Sequence, residues 1–220
     1  LSALNQYIKE QKPVFSYQGE TSPNLYDFSK SEESPEKLIF SFYKLAILAK
    51  LNDKDLIITT DVGQHQMWVA RSFPFSAPHQ LLSSGSLGTM GFGLPAAIGA
   101  ALANPEKKVI CFSGDSSILM NIQELATLAE LNLNITIIVL DNNALGMVYK
   151  MQEKFYKKCH SQSVYKNPTN IAKVAEAFGI ESRHFDYKMI LENNSSCEIA
   201  DFVFGKNRPV LIQCEIPRIW

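Results

Sequence analysis

A chain of 220 residues, 46% of them apolar, holds enough hydrophobic material for a substantial core, and its length favours one α/β domain over two. The formal net charge of −1 leaves no basic excess to pair with phosphates, which argues against nucleic-acid or membrane-surface binding. No apolar stretch reaches the roughly 18–20 residues that a bilayer crossing needs.

The opening run Leu1-Ser2-Ala3-Leu4-Asn5-Gln6 reads neither as a signal peptide nor as a natural start, so the chain is expected to be a piece of a longer protein. Residues 1–33 are polar, with Pro13, Gly19 and Pro23, and read as a leading arm or interdomain linker remnant; 34–220 read as the folded domain. Ser34-Pro35-Glu36 carries a capping hydroxyl, a first-turn proline and an early acid. Leu38, Phe42, Leu45 and Leu48 follow at helical spacing, predicting a helix to about Leu51. Leu56–Thr60 is a short β-rich run, and His79–Ser83 is a candidate second strand. Pro95–Ala103 is small and helical. Val109–Ser113 and Ile135–Leu140 are almost wholly apolar, as central parallel strands buried on both faces should be. Between them Ile122, Leu125, Leu128 and Ala129 form one helix face. The charged run Lys150–Lys158 reads as a solvated helix face. Thr169–Phe178 is a further helix that Gly179 stops, and Val210–Glu215 is a last strand. The alternation predicts a doubly wound, mostly parallel sheet with helices on both faces.

Cys111, Cys159, Cys197 and Cys214 lie far apart without a Cys-x-x-Cys pair. A zinc site or disulfide framework is not expected, and a reducing cytoplasm fits this usage. Cys111 and Cys214 fall inside predicted strands, where small buried thiols are common.

In an open parallel sheet, ligands gather beyond the carboxyl ends of the strands. Four loops qualify here: Asp61–Gln66, Gly85–Gly93, Gly114–Ser117 and Asp141–Met147. Glycines there let backbone N–H groups approach an anion closely. Gly88-x-x-Gly91-x-Gly93 tempts a nicotinamide reading. A dinucleotide fingerprint, however, needs its glycines directly after the first strand and an acid about 20 residues later, which this chain does not supply. Asp115 and Asn142 end adjacent strands and bring two hard oxygens to one edge, which suits Mg²⁺ and a diphosphate. Taken alone, without Asn142 in register, Asp115 reads more simply as a helix-capping acid. His65 is open to a structural or a cofactor-touching role. His79, His160 and His184 read as surface or packing residues, and Phe73, Pro74 and Phe75 as core or as part of a substrate mouth.

Gly114-Asp115-Ser116-Ser117, the helix start Asn121 to Leu125, and Asn142-Asn143 together resemble the thiamine diphosphate motif, which begins Gly-Asp-Gly and closes on Asn. From roughly Ser34 to Glu215 the chain resembles the C-terminal diphosphate-binding domain of acetohydroxyacid (acetolactate) synthase large subunits, with details like the bacterial form usually called isozyme I. The runs Thr60–Trp68, Leu87–Ala100 and Asn142–Val148, with Phe155-Tyr156, carry this resemblance.

The resemblance implies that Asp115, Asn142 and the main-chain carbonyl of Ala144 bind Mg²⁺. It implies that Ser116, Ser117 and the loop of Val62, Gly63, Gln64 and His65 meet the diphosphate, and that Gly88 and Met90 hold the aminopyrimidine. Gly114, Leu145, Gly146 and Met147 complete the expected cofactor-binding set. The implied reaction decarboxylates pyruvate and joins the fragment to a second 2-oxo acid, in branched-chain amino acid biosynthesis. No catalytic residue is expected in this chain, because the activating glutamate belongs to an N-terminal pyrimidine domain supplied by a neighbouring chain. FAD belongs to a further domain of the parent enzyme. A homo-oligomer and a regulatory subunit are implied partners.

Three departures stand out. Ser116 occupies a position where the family usually has Gly or Ala. Met151 stands where many relatives carry Trp, which puts the preference for 2-oxobutyrate in question. The pyrimidine and FAD domains are not in this sequence. A subunit of a split 2-oxo-acid decarboxylase, or a degenerate relative that binds the cofactor without turnover, remains an alternative at this stage.

Overall fold

The computed structural model describes residues 33–218 and 220, so nearly all of the expected leading arm lies outside the described residues. Six strands form one sheet: β1 (Leu56–Thr60), β2 (Leu81–Ser83), β3 (Lys108–Gly114), β4 (Ile135–Asp141), β5 (Glu181–Asp186) and β6 (Val210–Glu215). Every pairing is parallel, in the order β2-β1-β3-β4-β6-β5. The predicted α/β class is therefore the observed one.

The helices are α1 (Pro35–Leu48), α2 (Gln64–Ser72), α3 (Gly93–Ala103), α4 (Asp115–Ile118), α5 (Glu124–Leu131), α6 (Gly146–Phe155), α7 (Ile171–Ala177), α8 (Tyr187–Glu192) and α9 (Cys197–Phe204). Successive strand residues point to opposite faces, and the core divides along that parity. Leu56, Ile58, Ile110, Phe112, Ile138 and Ile212 pack with α1, α2, α8 and α9. Ile57, Val109, Cys111, Ile137, Val139 and Leu211 pack with α3, α5 and α7. Burial on both faces is why β3 and β4 read as unbroken apolar runs.

Several boundaries moved, each for a backbone reason. Ser34 caps α1 as expected, accepting from Lys37 N at 3.2 Å, but the helix ends at Leu48. Lys50 turns left-handed (φ 64°), and the Leu51 N–H closes back on the Ala46 carbonyl. β2 starts at Leu81 because His79 is left-handed (φ 62°). The buried Gln80 side chain meanwhile caps the turn before it, accepting from Ser76 and Ala77 N–H. The charged helix face predicted to Lys158 stops at Phe155, since Lys157 and Lys158 both have positive φ. Asn170 caps α7 and Gly179, at φ 80°, follows its end.

The chain passes from β1 outward to β2, then returns across the sheet to β3. The strand order therefore reverses between β1 and β3, and the crevice beyond their carboxyl ends is where such sheets take ligands.

Candidate functional site

β1 delivers Asp61 to that crevice, buried. Its Oδ1 accepts from Val62 N and Gly91 N, both at 2.8 Å, and its Oδ2 accepts from Gly93 N at 3.1 Å. The carboxylate thereby latches the first loop to the glycine-rich loop before α3. Gly91 has φ +90°, which side chains rarely adopt, and a Cβ there would lie 2.8 Å from the Met120 Cβ.

β3 delivers Asp115 and β4 delivers Asn142, both nearly buried. Asp115 Oδ2 accepts from Ala144 N at 3.2 Å, and Asn142 Oδ1 accepts from the same N–H at 3.1 Å. The two side-chain oxygens thus sit around one backbone group. The Ala144 carbonyl lies 3.4 Å from Ser116 Oγ, which is itself 3.3 Å from Asp115 Oδ1. Among the described residues no group of three or more His, Cys, Asp or Glu could hold a metal. The available donors are a carboxylate, a carboxamide and a main-chain carbonyl, all hard oxygens, and they fit Mg²⁺.

The electrostatics also suit a cation. Burial first, and the neighbouring Asp141 carboxylate second, raise the Asp115 carboxyl well above the usual carboxylate range, against the pull of the Ser116 and Ala144 N–H groups. Asp141 is buried and held by Gln213 Nε2 at 2.6 Å and Asn143 N at 3.0 Å. Two buried acids side by side favour any positive charge that reaches them.

A partly open cavity of about 120 Å³ lies over these groups. Val62, Gly63, Gln64 and His65 line it from the first loop, and Met90 from the second. Gly114, Asp115, Ser116 and Ser117 line it from the third. Asn142, Ala144, Leu145, Gly146 and Met147 line it from the fourth. Gly88 is not in the wall; a Cβ on it would lie 3.9 Å from the Val62 side chain, so it stands behind that residue. Trp68, Leu140, Val148 and Ile216 also line the cavity and were missed. Trp68 lies two residues past the first predicted loop and Val148 one past the fourth, a nearness that could have flagged them; Ile216 follows the last strand and carries no local signal.

Among the described residues, Gln64 Oε1 and His65 Nε2 are buried without a hydrogen-bond partner, and both residues face the cavity. Burial lowers the His65 pKa to about 4, opposed by the Asp61 backbone, so the imidazole is neutral. Gln64 Nε2 donates to the Trp220 carbonyl at 2.9 Å. A Cβ on Gly146 would fall 2.1 Å from Gln64 Oε1 and 2.7 Å from Asn142 Nδ2, so only glycine allows this approach.

The serine hydroxyls are engaged by protein. Ser117 Oγ donates to the Val62 carbonyl at 2.7 Å, and Ser116 Oγ accepts from Tyr165 Oη at 2.7 Å while facing the Asp115 and Ala144 oxygens. His79, His160 and His184 are all exposed, and His160 stacks on Tyr149. Phe73 is core, edge-on to Tyr43 and Phe112, with Phe75 packed beside it. Cys111 and Cys214 are buried, Cys159 and Cys197 exposed, and all four are free.

Residues 61–214 match the family described as thiamine pyrophosphate enzyme, C-terminal TPP binding domain. The chain is 55% identical over 130 residues to the acetolactate synthase isozyme 1 large subunit of Escherichia coli, covering 59% of this chain and 23% of that protein. It is 45% identical over 161 residues to a probable acetolactate synthase large subunit of Methanococcus aeolicus, covering 73% and 26%. Against the isozyme 2 large subunit of E. coli it is 38% identical over 223 residues, covering 100% and 40%. The chain thus spans between 23% and 40% of the length of these relatives.

Proposed function

The chain belongs to the thiamine pyrophosphate enzymes and carries their C-terminal cofactor-binding domain, and from that premise we propose that it is the cofactor-holding part of an acetolactate synthase large subunit. The observation that carries the reading is the convergence of Asp115 and Asn142 on one N–H at the carboxyl ends of β3 and β4, beside the sheet's switch point and in the wall of one cavity.

In this reading Asp115, Asn142 and the Ala144 carbonyl hold Mg²⁺, whose charge the paired acids Asp115 and Asp141 favour. Backbone N–H groups of the first and third loops, with Ser116 and Ser117, receive the diphosphate. Gln64 Oε1 and neutral His65 offer polar atoms toward the cofactor. Met90, Met147, Val148 and Ile216 give the remaining wall an apolar lining. When bound, thiamine diphosphate supplies the carbanion stabilisation that decarboxylation of a 2-oxo acid requires. The side chains here orient it and exclude water; no group of this chain is assigned a proton transfer.

The finer parts of the reading rest on the family resemblance. Pyruvate and a second 2-oxo acid are the substrates, and the pyrimidine domain of a neighbouring chain brings the activating glutamate. FAD sits in another domain of the parent enzyme, a homo-oligomer with a regulatory subunit in the cytoplasm. Trp68 lines the cavity and supplies the test. Titration with thiamine diphosphate should change Trp fluorescence saturably in Mg²⁺ and not in EDTA. No response in either condition would remove the cofactor from the account.

A further inference from the structure

Ser116 is the residue at which this chain departs from the usual Gly or Ala, and its hydroxyl is not idle. Tyr165 Oη donates to Ser116 Oγ at 2.7 Å, a bond 49 residues apart in sequence. A phenol has one proton, so Ser116 receives it and must direct its own elsewhere. The acceptors in reach are Asp115 Oδ1 at 3.3 Å and the Ala144 carbonyl at 3.4 Å. The first is the other oxygen of the carboxylate whose Oδ2 converges with Asn142, and the second is the carbonyl assigned above to the cation.

Tyr165 is itself held in place by the loop it governs. Tyr165 N donates to the Asn143 carbonyl at 3.1 Å, and Leu145 N donates to the Ser163 carbonyl at 2.9 Å, flanking an antiparallel bridge between Ala144 and Val164. Ser163 is buried and donates to Gln152 Oε1 at 2.5 Å, while Gln152 Nε2 donates to the Ser161 carbonyl at 2.9 Å, which ties the strip to α6. A hydrogen-bonded strip therefore lies along the Asn142–Leu145 loop, and the Tyr165 hydroxyl joins it to α4.

We propose that Tyr165 and Ser116 form a hydroxyl relay that orients Asp115 and the Ala144 carbonyl toward the divalent cation, making both residues positioning residues for the metal site. This rests on the cofactor reading above. Outer groups that orient metal ligands typically change affinity by about 10- to 100-fold when removed. Tyr165 acts only through Ser116, so the two losses should not add.

The test measures Mn²⁺ binding by electron paramagnetic resonance on the full chain with saturating thiamine diphosphate, alongside thermal unfolding in EDTA. Tyr165→Phe and Ser116→Ala should each weaken Mn²⁺ binding about tenfold. The double variant should be no weaker than the worse single one, and Ser116→Thr, which keeps a hydroxyl, should retain wild-type affinity. Unfolding in EDTA should be little changed. Unaltered Mn²⁺ affinity in both single variants, or losses that multiply in the double variant, would overturn the relay while leaving the cofactor site standing. A wild-type chain that binds no Mn²⁺ would overturn the cofactor reading and the relay with it.

Discussion

At the scale of single residues, the chemistry-bearing side chains were the most legible part of the chain. Asp115 and Asn142 could be picked out because an acid and an amide at the ends of two apolar strands must share a sheet edge. Asp61 was visible only as an acid in a candidate anion loop; its real work is to receive Gly91 and Gly93 N–H groups, 30 and 32 residues away. No local pattern announces partners that distant. The serine hydroxyls, expected to meet a diphosphate, also reach Val62, Asp115 and Ala144, partners that the sequence did not announce. Asp115→Ala should abolish Mg²⁺-dependent thiamine diphosphate binding in calorimetry; unchanged affinity would remove Asp115 as a ligand. His65 gives a pH signature. Its folded pKa of about 4 lies below the ordinary 6.5, so the folded state resists protonation. That stability is present above the ordinary value and is lost as pH falls toward the folded one, on the order of 3 kcal/mol in all. Urea unfolding of wild type and His65→Asn between about pH 7 and pH 4 should show the variant losing less; parallel losses would place the titration elsewhere.

At the scale of elements, legibility followed apolar density. β3 and β4 are buried on both faces and announced themselves. β5 pairs only with β6, and its sequence Glu-Ser-Arg-His-Phe-Asp buries two residues fully, so no apolar run marks it. α2 begins in Gln-His-Gln, the first two of which line the cavity, and these polar residues mask the helical pattern. α9 carried readable signs, a Ser196 cap with Ile199, Phe202 and Val203 on one face, that the sequence reading did not take up. The helix start best supported by sequence is that of α1. Replacing Ser34 with Ala removes the acceptor of the Lys37 N–H and should cost about 1 kcal/mol, read as a lower urea midpoint with an unchanged slope. No shift would mean that Pro35 and packing alone hold the helix end.

At the scale of the whole molecule, the parallel sheet and its switch point explain why loops separated by more than 80 residues meet in one cavity. The alternation of strands and helices made that architecture readable, whereas the depth and volume of the cavity depend on tertiary packing and were not. Because the chain spans between 23% and 40% of the relatives described, the purified chain is expected to make no acetolactate from pyruvate, even with thiamine diphosphate and Mg²⁺. Robust product formation, measured colorimetrically, would mean that the activating carboxylate is not required from another domain. The central claim concerns where the cation sits. Crystals grown with Mn²⁺ and thiamine diphosphate should give an anomalous peak bonded to the Asp115 carboxylate, the Asn142 side-chain oxygen and the Ala144 carbonyl; a peak bonded to none of these three would contradict the account.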